Sequence, residues 1–126
     1  MIDRDLTRRE TLIMKCIWSA GKEISLQEVQ KDLKEMYDWD AKRSTVRTFL
    51  TSIEGKGFIT IERRGRYSYI KPLINEEKYK RDQAEKMVDF WYEGSTEGLI
   101  KTLISGKLSE EDERYLMEVL GDLDEC

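Results

Sequence analysis

The sequence predicts a mostly α-helical protein with one small β-hairpin, built as two unlike halves, and three observations carry that reading. Apolar residues recur at helical spacing through most of the 126 residues. Only after Gly57 does the pattern alternate, in two short runs. Charge is also divided unevenly: residues 1–72 hold 15 Lys and Arg against 11 Asp and Glu, whereas residues 73–126 hold 7 against 15. Pro72, the only proline, stands at the change. A domain boundary is expected there, with 1–72 meeting a polyanion and 73–126 serving another purpose.

Thr7 with Glu10 opens the first helix, because a hydroxyl cap and a glutamate three residues on satisfy each other's backbone amides. Ile13, Met14, Ile17 and Trp18 form its apolar stripe, and Gly21 ends it. Ser25 with Glu28 repeats the capping pattern for a second helix, whose buried face is expected to be Val29, Leu33 and Met36. A third helix is expected from near Asp40 to Lys56-Gly57, with Val46, Phe49, Leu50 and Ile53 inward.

Phe58–Glu62 then reads as a strand, Arg63-Arg64-Gly65-Arg66 as a turn and Tyr67–Ile70 as the returning strand. Three short helices followed by a basic-tipped hairpin is the order of a winged helix-turn-helix, in which helix three enters the major groove and the hairpin flanks it. At about 100° per residue, the face of helix three opposite its core stripe carries Ser44, Thr48, Thr51 and Gly55, with Arg47 and Ser52 beside it and Lys42 and Arg43 at its start. Small hydroxyl residues let a helix sit deep in a groove while Arg47 reaches phosphate or a guanine edge. The candidate DNA-binding set is therefore Lys42, Arg43, Ser44, Arg47, Thr48 and Thr51, with Arg63, Arg64 and Arg66 on the wing.

In the second half, Asn75 is expected to cap a long helix running through Glu93, with Tyr79, Ala84, Met87, Val88 and Trp91 on one side. Gly94 stops it. Ser95 or Thr96 opens a short helix that Gly106 closes, and Ser109 with Asp112 begins a last one. A segment this short buries little by itself, so a helical dimerisation domain is expected over 73–126, using Val88, Trp91, Leu99, Leu103, Leu116, Val119, Leu120 and Leu123. Packing of these faces back onto the first half stays open as the alternative.

Several classes of function find no support. No apolar run approaches the roughly 20 residues of a membrane span, and Met1–Asp5 lacks a signal peptide's apolar core, so a cytoplasmic protein without membrane contact is expected. With no histidine and two cysteines, Cys16 and Cys126, the chain lacks the commonest general base and any zinc cluster. No phosphate-loop or Gly-x-Gly-x-x-Gly pattern occurs. Neither an enzyme nor a metal or cofactor site is expected. Two rivals to DNA binding remain: a winged-helix adaptor for protein contacts, and a regulator sensing a small ligand between walls supplied by Trp39, Trp91, Tyr79 and Tyr92.

The run from Ser44 to Ile59 and the wing exit from Gly65 to Leu73 resemble the penicillinase-repressor family, which includes methicillin-resistance and copper-responsive repressors. The most specific pieces are Thr45-Val46, Thr48, Leu50, Lys56-Gly57 and Tyr67-x-Tyr69-x-x-Pro72, and the likeness covers nearly the whole chain. The resemblance implies a bacterial transcriptional repressor, homodimeric through its C-terminal helices and bound to a double-stranded DNA operator of dyad symmetry. Many members carry Arg where Ser52 stands here. Copper-responsive members hold metal with paired cysteines near the C-terminus, where this chain has Cys126 alone. In the penicillinase branch a regulating protease cuts an Asn-Phe bond in the dimerisation domain; Thr102-Leu103 aligns with that bond here.

Overall fold

The computed structural model describes residues 5–106 and 109–124, the last five as helical backbone alone. Met1–Arg4 and Cys126, on which the readings of the N-terminus and of the C-terminal cysteine fall, lie outside the described residues.

Helix α1 spans Arg8–Ala20, entered through the expected capping box: the Thr7 amide donates to Glu10 Oε1 at 2.8 Å, and the Glu10 amide to Thr7 Oγ1 at 3.3 Å. Gly21 closes it at φ 65°, a left-handed conformation that glycine adopts without steric cost. Strand β1, Ile24–Ser25, leads directly into α2, Leu26–Tyr37. Ser25 caps α2 by accepting from the Glu28 amide at 3.2 Å. Glu28 returns not to the Ser25 amide, as expected, but accepts from the Ser25 hydroxyl at 3.0 Å.

Helix α3 covers Arg43–Gly55 and starts later than the expected Asp40. Ala41 is buried and its carbonyl accepts from Gln30 Nε2 at 3.0 Å, which fixes the connector before the helix. Asp40 instead faces Lys34 at 4.0 Å in an exposed pair.

Strands β2, Ile59–Arg64, and β3, Tyr67–Pro72, form the hairpin. Arg63 and Arg64, expected in the turn, are strand residues, because the ladder runs on to the pair Arg64–Tyr67 and leaves only Gly65-Arg66 to turn. The short β1, not anticipated, joins the other side of β3 through Ile24–Ile70 and Ser25–Tyr69, giving the antiparallel order β1-β3-β2.

The core fills the space between the three helices and the sheet: Ile13, Met14 and Ile17 of α1, Leu26, Val29 and Leu33 of α2, and Val46, Leu50 and Ile53 of α3 meet Ile24, Ile59 and Ile70. Burying each such side chain contributes about 1.5 to 3 kcal/mol. Two expectations fail at its edge. Met36 is 48% exposed, although Tyr37 beside it still packs against the core, and Phe49 is only half-buried, packed edge-on against Trp39. Cys16 is buried among the apolar residues, and burial, with the nearby Asp32 charge, pushes its thiol up to about 11, leaving it protonated and unreactive.

The chain divides into two compact units, Met1–Tyr79 and Lys80–Cys126. Pro72 ends β3, and the residues after it still pack with the first unit: Trp18 Nε1 donates to the Ile74 carbonyl at 2.9 Å, and Tyr79 stacks against Phe58 and Trp18. Helix α4, Glu76–Tyr92, is capped by Asn75, whose Oδ1 accepts from the Glu77 amide at 2.8 Å. It ends where Glu93 and Gly94 both turn left-handed. Helix α5, Thr96–Ser105, is capped by Ser95, and α6, Glu110–Asp124, by Ser109, whose Oγ accepts from the Asp112 amide at 3.1 Å. No helix among the described residues is long and apolar enough to cross a membrane.

Candidate nucleic-acid interface

Helix α3 owes its position to the apolar stripe Val46, Leu50 and Ile53, which leaves Lys42, Arg43, Ser44, Arg47, Thr48 and Thr51 exposed together on the outer side. The hydroxyls of Thr48 and Thr51 donate to the carbonyls of Ser44 and Arg47, each at 3.0 Å. Both residues are exposed, and a threonine methyl is a group suited to apolar contact with thymine methyls. The first turn of α3 contains no acidic residue.

Ser52 does not join this face. Its hydroxyl donates to Glu10 Oε2 at 2.8 Å, and Lys56, which caps the end of α3, donates to Glu10 Oε1 at 2.6 Å and to the Asp5 carbonyl at 3.0 Å. Glu10 is 2% exposed and so accepts from three donors, one of them the Thr7 amide. Burial pushes its carboxyl up, but the hydrogen bonds from Lys56, Thr7 and Ser52 outweigh that and hold it below the usual glutamate range. This network pins the far end of α3 to the first turn of α1.

Side chains alternate along the hairpin, so the three wing arginines separate. Arg63 shares a face with Ile59 and Ile61 and lies opposite Ser68, and that face turns toward α3. A groove of about 280 Å³ runs between them, lined by Arg47, Thr51 and Glu54 of α3 and by Ile61, Arg63 and Ser68 of the hairpin. Glu54 Oε2 accepts from the Ile61 amide at 2.9 Å, which ties α3 to the outer edge of β2. Arg66 stands in the turn, exposed.

Arg64 lies on the opposite face. Its guanidinium donates to Glu23 Oε1 at 2.6 Å, to Glu23 Oε2 at 2.8 Å and to Glu62 Oε2 at 2.8 Å, and it lies 4.8 Å from the centre of the Tyr69 ring. The guanidinium holds the Glu62 carboxyl below its ordinary value, while the hydrogen bonds to Glu62 and Glu23 raise the arginine further. Sequence reasoning missed Glu23, whose partner is 41 residues away, and Glu54. Ser68 was legible from strand alternation once Arg63 was placed.

The second unit has a different surface. Neither α4 nor α5 buries a residue. Val88, Leu99 and Leu116 are half-buried, while Trp91, Leu103 and Val119 are exposed. Phe90 and Trp91 form an edge-on pair, 75% and 71% exposed. Phe90, Tyr115 and Met117 extend the apolar surface beyond the residues expected from sequence. The side chains of Leu120 and Leu123 lie outside the described residues. Of the four aromatics considered as ligand walls, Trp39 packs on Phe49 and under Arg9, and Tyr79 on Phe58 and Trp18, both inside the first unit.

Three helices, a three-stranded sheet and a basic outer face spanning helix and hairpin define a winged-helix protein. The comparisons agree. The solution structure of the DNA binding domain of the repressor BlaI aligns with 63% of this chain and 94% of its own, with a TM-score of 0.51 and 29% identity. The methicillin resistance regulatory proteins MecI of Staphylococcus aureus (strain N315) and of Mammaliicoccus sciuri are each 23% identical over 118 residues, covering 93% of this chain and 94% of theirs. The penicillinase repressor family model matches residues 6–122, and the chain belongs to that family.

Proposed function

We propose that this protein is a DNA-binding transcriptional repressor that binds a dyad operator as a homodimer. The observation that carries the reading is the groove in which Arg47 and Thr51 of α3 face Arg63 of the wing. Such an arrangement lets a helix read base edges while the hairpin holds the flanking backbone, with Lys42 and Arg43 at the helix start and Arg66 at the wing turn adding phosphate contacts. Membership of a repressor family and the likeness to the BlaI DNA binding domain support it.

Dimerisation is supported by the second unit's apolar surface, since contiguous exposed aromatics on a small helical unit mark an interaction site. The residues proposed to meet a second copy are Val88, Trp91, Leu99, Leu103, Leu116, Val119, Leu120 and Leu123, joined now by Phe90. Control of antibiotic-resistance genes is the role that the names of the MecI relatives suggest; release through a regulating protease is proposed from the family resemblance alone. The test is titration of a labelled duplex with the full chain at several salt concentrations, alongside sedimentation of the free protein. Tight, salt-sensitive binding by a dimer supports the reading; a monomer that binds no duplex at low salt overturns it.

A further inference from the structure

We propose that Arg64 is a positioning residue for DNA binding and not a phosphate ligand: it braces the wing against Glu23 and so fixes the hairpin beside α3. The inference rests on the reading that α3 and the wing bind duplex DNA.

The topology explains why a brace is needed. β1 is two residues long and pairs only with Ile70 and Tyr69 of β3, so the hairpin from Arg63 to Ser68 projects beyond it as a two-stranded ribbon. Such a ribbon is marginally stable and twists readily. Arg64, on β2, reaches across the middle strand over the Tyr69 ring to Glu23, the residue just before β1. One side chain thereby links the two outer strands.

The same contacts leave Arg64 poorly placed for phosphate. Both terminal nitrogens donate to carboxylates, and the Glu23 pair is bidentate, the geometry in which arginine binds most specifically. One guanidinium is shared by Glu23 and Glu62, and Lys71 of the same face also acts on Glu62, so little of the Arg64 charge is left to attract a phosphate. Arg63 is on the other face, in the groove with Arg47. Alternation along one strand has thus separated a ligand from a strut.

The experiment uses the full chain and a fluorescein-labelled random-sequence duplex, with affinity measured across a salt series. Arg63→Ala is expected to lower the salt slope by about one unit, the signature of a lost phosphate contact. Glu23→Gln and Arg64→Ala are each expected to weaken binding about three- to tenfold with the slope unchanged, and the double variant to be no weaker than either, because the two residues act as a unit. The exchanged pair, Glu23→Arg with Arg64→Glu, is expected to recover binding to within about twofold of wild type by restoring the brace. Tighter binding by Glu23→Gln, or a slope lowered by Arg64→Ala, overturns this inference alone, since it would mean that Glu23 merely withholds a phosphate ligand. Failure of the exchanged pair to recover while it stays folded by circular dichroism also overturns it. Wild-type protein that binds no duplex at low salt overturns the proposed function and this inference together.

Discussion

Glu10 Oε1 lies 2.6 Å from Lys56 Nζ, an ion pair in which the carboxylate is almost fully buried and the ammonium side chain keeps 24% of its exposure. Glu10 sits in the first turn of α1 and Lys56 caps the end of α3, so each charge lies at the helix end whose dipole favours it. The pair fixes the angle at which α3 presents Arg47 and Thr51, and the Ser52 hydroxyl adds a second tie at the same point. Ser52 stays exposed, but its hydroxyl is committed to Glu10.

Glu10→Gln is expected to destabilise the protein by about 1 to 3 kcal/mol, less than for a fully buried pair because Lys56 can rehydrate. Glu10 has a lowered pKa in the folded state, so its contribution is present above the unfolded glutamate range and is lost as pH falls through the folded value. Urea unfolding of both proteins should therefore show a difference that is full at neutral pH and shrinks below about pH 4. A difference that grows on acidification contradicts the assignment.

Arg47 and Arg63 are expected to fail in different ways. Arg47→Ala should cost about 1 to 3 kcal/mol against a specific site and much less against random duplex, whereas Arg63→Ala should weaken both alike. Competition titrations with the two duplexes separate these outcomes. Equal losses on both duplexes for Arg47→Ala would show that it contacts only phosphate.

The aromatic pair of the second unit gives the dimer prediction. Trp91→Asp, with Phe90→Asp as a second variant, should shift the sedimentation of the full chain from dimer to monomer at micromolar concentration while leaving its helical content intact. Operator affinity should fall with it by about 10² to 10⁴, the advantage of linked binding to two half-sites. A monomeric wild-type protein, or dimeric variants, would remove this interface.

Thr102-Leu103 lies inside α5, and the Thr102 hydroxyl donates to the Gly98 carbonyl at 3.1 Å. A protease must unwind that helix to reach the bond, which favours cutting only where local opening is cheap. Exposing cells to a cell-wall antibiotic and following the intact chain by mass spectrometry, with target transcription measured in parallel, tests release by cleavage. A fragment ending within Leu99 to Gly106 is expected; induction with the chain intact rules cleavage out as the switch.

Much of the first unit was legible because its signals are local. Capping residues, apolar spacing and the change to alternation placed α1, α2 and the hairpin within a residue or two, and put Ile13, Val29, Val46 and Ile53 in the core. What escaped depended on distant partners. Glu10 reads as a cap, and nothing local shows that it also binds residues 42 and 46 positions away. β1 is too short to carry a pattern, and only its pairing with β3 makes it a strand. α3 starts at Arg43 and not near Asp40, because burial of Ala41, which no local pattern announces, decides the connector. The three wing arginines read as one basic tip, and only the register of β2 against β3 separates Arg63 from Arg64.

The most direct test of the central claim is selection of bound sequences from a random duplex library with the full-length protein, followed by sequencing. The account predicts enrichment of one site with two-fold symmetry, its half-sites a whole number of helical turns apart, and loss of that enrichment for Arg47→Ala. No enriched sequence, or a single site without symmetry, would contradict a dimeric repressor that reads DNA through α3.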